Sequence, residues 1–116
     1  AGFPGSLGHE ELDAKTVADW GADYVWLDGC NLDHDLYAPK YELWSRLFQA
    51  AGIAWEVSWP AYVYNRTDPG KSNTNLWYQS ANVGHEFRFY ADARPGYDHI
   101  LQAASVTHDW DMQRFH

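Results

Sequence analysis

Three short runs rich in branched and aromatic residues, 23–28, 53–59 and 86–92, alternate along the chain with stretches whose apolar residues recur at helical spacing. This alternation constrains the fold more than any other feature. A strand that is followed by a helix and then another strand re-enters the sheet in the same direction, so the strands are expected to be parallel and the class α/β. The first helix is expected where Gly8-His9-Glu10-Glu11 leads into Leu12, Val17 and Trp20, ending at Gly21. The next strand-like run, 23–28, reads as a buried strand. A second helix fits 37–51, with Leu43, Leu47, Phe48 and Ala51 as its stripe and Gly52 as its stop. Residues 62–84 are rich in Asn, Ser, Thr, Pro and Gly and read as a long loop with a short helix near 77–82. A last helix is expected from 97 to 106, after Arg94-Pro95-Gly96.

Two architectures share this order: an open doubly wound sheet and a (β/α)8 barrel. A whole barrel takes about 250 residues, whereas this chain has 116. Under the barrel reading residues 1–116 are therefore one fragment of a larger catalytic domain. The start Ala1-Gly2-Phe3-Pro4-Gly5 has neither an initiator Met nor the blocks of a signal peptide, which agrees with an interior piece.

Charge narrows the function classes. Eight Lys and Arg against sixteen Asp and Glu give a formal net charge of −8. Such a chain repels a phosphate backbone or an anionic lipid surface, so neither nucleic acid nor membrane is an expected partner. Seven Trp, eight Tyr and five Phe exceed what a small core asks for, and aromatic rings with a polar edge suit the faces of sugars. Trp44 and Trp77 are candidate platforms, although on helical segments such residues more often pack. Asp33-His34-Asp35 and His108-Asp109-Trp110-Asp111 carry ligand-type side chains without a metal-binding spacing, so no metal and no cofactor is expected. Cys30, the one cysteine, is a buried thiol, a reactive thiol or half of a disulfide completed outside the chain.

The candidate chemistry lies at the strand ends. Asp28 closes the first strand and Asp92 the third, and in a parallel sheet the C-terminal ends of strands share one mouth. The two-residue period groups Tyr24 and Trp26 with Asp28, and Arg88 and Tyr90 with Asp92. In the middle strand it groups Glu56 with Ser58 and leaves Trp55, Val57 and Trp59 to pack against helices. Two carboxylates about 5 to 5.5 Å apart are what retaining glycoside hydrolysis requires. As plain turn residues the same aspartates would need no mouth at all.

These residues carry a resemblance. Ala1-Gly2-Phe3-Pro4-Gly5-Ser6, Asp13-Ala14-Lys15-Thr16, Ala18-Asp19-Trp20-Gly21 and Leu27-Asp28-Gly29-Cys30, then Ser58-Trp59-Pro60 and Arg88-Phe89-Tyr90-Ala91-Asp92, are similar to glycoside hydrolase family 27. That family comprises the α-galactosidases and α-N-acetylgalactosaminidases. The resemblance implies a partial (β/α)8 barrel from about helix 3 to helix 6. It implies Asp28 as nucleophile, Asp92 as acid/base, and Arg88 as an arginine that helps hold the sugar 2-position and the acid/base. It implies that Cys30 pairs with a cysteine just upstream of the chain. The Ser58-Trp59-Pro60-Ala61-Tyr62 loop resembles the N-acetylgalactosaminidases, where the small Ser58 and Ala61 leave room for an N-acetyl group beside Trp59 and Tyr62.

Three positions depart from the family pattern. Trp26 stands where a Lys that contacts sugar hydroxyls is usual, so Trp26 would offer stacking and one N–H in its place. Val57 replaces a Cys, and Ala93-Arg94-Pro95-Gly96-Tyr97 replaces an acidic, Trp-containing turn. The expected substrate is a terminal α-linked galactose or N-acetylgalactosamine on a glycoconjugate. Two alternatives stand beside hydrolysis: a catalytically silent sugar-binding relative and a complete, small acidic interaction domain. The implied disulfide and the Asn65-Arg66-Thr67 sequon point to a secreted or lysosomal compartment.

Overall fold

The computed structural model describes residues 5–58, 83–88, 95–101 and 104–105. The first helix, α1 (Glu10–Asp19), starts after His9 with Glu10, Glu11 and Asp13 in its first turn. Carboxylates there sit against the positive end of the helix dipole. Its inward stripe is Ala14 with the partly buried Val17 and Ala18. Leu12 and Trp20, expected on that stripe, are exposed at 63% and 78%. Leu12 lies two residues before Ala14 and so roughly 200° around the helix, while Trp20 is already the C-cap.

A short 3-10 turn (His34–Leu36) leads directly into α2 (Tyr37–Ala51). Its buried residues are Tyr37, Tyr41, Trp44 and Phe48, at the 4, 3, 4 spacing of one helical face. This aromatic stripe corrects the expected aliphatic one: Phe48 belongs to it, but Leu43 and Leu47 sit at its margin and Ala51 is exposed. Larger rings bury more apolar area per position, so the helix rolls to put them inward. Trp44 is thereby a packing residue, stacked on Phe48 at 4.9 Å. Gly52 ends the helix at φ 71, a left-handed cap that a glycine adopts without strain.

The strands are β1 (Tyr24–Leu27), β2 (Ala54–Val57) and β3 (Glu86–Phe87), in that order and parallel throughout. Trp26 pairs with Glu56, and Glu56 with Glu86. Beyond the strand ends the ladder continues, with Ser58 N–H donating to Leu27 O at 3.2 Å and Arg88 N–H to Val57 O at 2.9 Å. One face meets α2: Trp55 and Val57 are fully buried, and Trp55 contacts Tyr41 and Phe48 with centroids 6.0 and 5.8 Å away. Val25 and Leu27 pack on the same cluster. The opposite face carries Tyr24, Trp26 and Asp28, then Glu56 and Ser58, then Glu86 and Arg88. The expectation of a buried β1 is corrected, since its residues alternate between exposed and half-buried. Among the described strands β1 is the sheet's edge, and α2 covers only one of its sides.

The approach to β3 is narrow. Ser45 Oγ donates to Val83 O at 2.8 Å, and His85 N–H to Trp55 O at 3.0 Å. A Cβ on Gly84 would lie 2.8 Å from Val57 Cγ2 and 2.9 Å from Glu86 O, so the backbone passes where no side chain fits. Helical residues follow at 97–101 and 104–105, within the expected 97–106. Among the described residues no helix is long and apolar enough to cross a membrane. The expected loop and short helix across 62–82 lie outside the described residues, as do residues 89–94.

Candidate active site

Asp28 stands immediately after β1, at the C-terminal rim of the sheet, and its carboxylate is tied into the turn that follows. Gly29 N–H donates to Oδ1 at 3.0 Å, and the Cys30 thiol lies 3.5 Å from Oδ2. The turn is held from below by Tyr37, whose hydroxyl donates to Gly29 O at 3.1 Å. Leu32 N–H donates to the same carbonyl at 3.2 Å. Burial of Tyr37, with Cys30 and Asp28 nearby, pushes its phenol up to about 12, so it stays a donor at any ordinary pH. Cys30 is exposed, which removes the buried-thiol alternative. Desolvation and the Asp28 charge push its thiol up, away from the thiolate that a nucleophile needs.

Ser58 follows Val57 in the same rim, between Asp28 and Arg88. It is fully buried, and its Oγ has no hydrogen-bond partner among the described residues. Arg88 continues the row from β3 and turns back toward β1, its Cζ lying over the Trp26 ring at 4.8 Å from the centroid. A second polar cluster lies one row deeper. The Tyr24 hydroxyl is 3.1 Å from both Glu56 Oε2 and Glu86 Oε2. One phenolic hydrogen thus serves two carboxylates. Desolvation, then the hydrogen bonds to Glu86 and Glu56, push the Tyr24 phenol up to about 12.

The structure brings Trp26, Asp28, Ser58 and Arg88 onto one face of the sheet. Trp59, Ala61, Tyr62 and Asp92 lie outside the described residues, and with them the proposed Asp28 to Asp92 pairing. Trp77, the sequon and the residues from His108 to Asp111 lie outside them as well. No group of three metal-ligating side chains occurs among the described residues. Two supporting contacts were not read from the sequence. Glu86 shares strand parity with Arg88, a signal that was available. The Tyr37 bond to Gly29 is tertiary and left no signal in the spacing.

The family model Melibiase_2, described as alpha galactosidase A, matches residues 1–113. A probable alpha-galactosidase A of Aspergillus terreus is 42% identical over 86 residues, covering 66% of this chain and 15% of the relative. Human alpha-galactosidase A is 34% identical over 90 residues, covering 72% of this chain and 21% of the relative. The alpha-N-acetylgalactosaminidase of Gallus gallus is 34% identical over 112 residues, covering 94% and 25%. The chain thus spans between 15% and 25% of the length of these curated relatives. No solved structure gives a significant match. With all but its last three residues inside the family model, the chain belongs to the α-galactosidase and α-N-acetylgalactosaminidase family, glycoside hydrolase family 27.

Proposed function

We propose that this chain is the central part of a (β/α)8 catalytic barrel that removes terminal α-linked galactose or N-acetylgalactosamine with retention of configuration. Asp28 attacks the anomeric carbon while Asp92 protonates the leaving oxygen. Asp92, now deprotonated, takes a proton from the water that releases the sugar from Asp28. Arg88 holds the 2-substituent, Trp26 supplies an apolar face, and Ser58, Trp59, Ala61 and Tyr62 shape the pocket around that substituent. The reaction needs no cofactor. Cys30 forms its disulfide with a cysteine upstream of Ala1, and the protein works in a secreted or lysosomal compartment.

The observation that carries the reading is the row of Asp28, Ser58 and Arg88 at the C-terminal rim of a parallel sheet, on the face that α2 leaves uncovered. Inside a closed barrel, polar side chains on that face would be costly unless they lined a cavity, which is where a barrel of this family binds its substrate. The relatives' names support both sugars, and their length supports a larger parent domain. Proton NMR of the first product formed from nitrophenyl α-galactoside and nitrophenyl α-GalNAc by the intact protein tests the mechanism. The α anomer appears first if the reaction retains; the β anomer first would contradict the double displacement.

A silent sugar-binding relative is the second reading, favoured by Trp26 in place of the usual Lys. Binding of both sugars by the intact protein without turnover of either glycoside would select it.

A further inference from the structure

We propose that Trp26 is a positioning residue for Arg88: its ring holds the guanidinium over the middle of the sheet and so fixes where the Arg88 donors meet the sugar. The inference deepens the proposed function and rests on it. Arg88 directly follows β3 and Trp26 lies in β1, with β2 between the two strands, and neighbouring strands lie about 4.8 Å apart. Neither side chain spans two strand spacings to the other's backbone, so the two meet above β2, where Cζ sits 4.8 Å from the indole centroid. Ser58, the residue that follows β2, stands in the Arg88 row between the two outer strands. Its side chain is short and fully buried.

Attraction of a cation to the ring quadrupole consumes no N–H donor, so Trp26 orients Arg88 without using the hydrogens that a sugar hydroxyl or N-acetyl oxygen would accept. A Lys at position 26 would do the opposite, repelling Arg88 and donating directly. Trp26 is itself 54% exposed, so the ring still presents surface toward the mouth. Beyond the apolar face it offers a sugar, its larger contribution to binding runs through Arg88, and the 2-substituent is read by a pair of residues.

The test is a double-mutant cycle in the intact protein that carries this chain, comparing wild type, W26L, W26F, R88M and W26L/R88M. KM and kcat are measured for nitrophenyl α-galactoside and nitrophenyl α-GalNAc, or Kd if the wild type binds without turnover, together with the melting temperature. The account expects W26L to raise KM or Kd roughly five- to tenfold, the size of a partly desolvated cation–π contact, with kcat changed less than twofold. W26F should restore most of the affinity. In the R88M background W26L should add less than twofold, because the group it positions is gone. Independent, multiplying effects of the two substitutions, or W26F as weak as W26L, would overturn the proposal while leaving the hydrolase reading intact. A wild type that neither hydrolyses nor binds either glycoside would overturn both, even if coupled melting temperatures showed the contact itself to be real.

Discussion

Glu10 is a carboxylate buried at the junction of α1 and α2, and the Lys40 ammonium that reaches it comes from the other helix. That hydrogen bond holds the Glu10 carboxyl below its ordinary value of 4.5 against the opposing cost of burial. A lowered folded value means that the pair stabilises the fold above pH 4.5 and that this contribution is lost as pH falls through the lowered value. Lys40→Met should therefore destabilise the intact protein by roughly 1 to 3 kcal/mol at pH 7. Denaturant melts as a function of pH should show the gap between variant and wild type closing below pH 4.5. A gap constant down to pH 3 would assign the loss to packing. Tyr37→Phe is a finer probe, because it deletes only the hydroxyl that steadies the Asp28 turn. A loss of about 1 kcal/mol is expected, since Leu32 N–H still serves the Gly29 carbonyl. A melting temperature equal to wild type would mean that water replaces the phenol.

At the scale of elements, the chain is tightly packed at Gly84, just before β3. Gly84→Ala forces Val57 Cγ2 or the backbone before β3 to move, and a loss of about 1 to 3 kcal/mol is expected. An unchanged denaturation midpoint would show that the Val57 side chain yields freely. The sequence made the alternation of elements legible because each strand is short, apolar and bounded by turn residues, and because Gly52 marks the end of α2 by its backbone geometry. Face assignments in β2 followed from parity alone: Trp55 and Val57 go to the helix side, as their neighbours in sequence required. The helix stripes were less legible. Burial there depends on how far each helix rolls against its partner, and Tyr37, Tyr41 and Trp44 outcompete aliphatic residues of similar spacing. The contact of Arg88 with Trp26 was not legible, because it depends on strand order and register, which periodicity within one strand does not carry.

For the whole molecule, the described sheet has β1 as an edge, with Tyr24, Trp26 and Asp28 on a face that no described helix covers. An edge of parallel backbone groups and an uncovered face are stable when further strands close around them. The 116-residue chain expressed alone should accordingly hydrolyse neither glycoside, and clear turnover by it would contradict the proposal that it is part of a larger barrel. Asp28 carries the central claim, and the most direct measurement is the turnover of nitrophenyl α-galactoside and nitrophenyl α-GalNAc by the intact protein with Asp28 and with Asp28→Asn. An asparagine keeps the shape and the Gly29 hydrogen bond but cannot form the glycosyl ester, so kcat should fall by about three orders of magnitude or more on whichever glycoside is turned over. Asp28→Asn turnover within a few-fold of wild type would contradict the account.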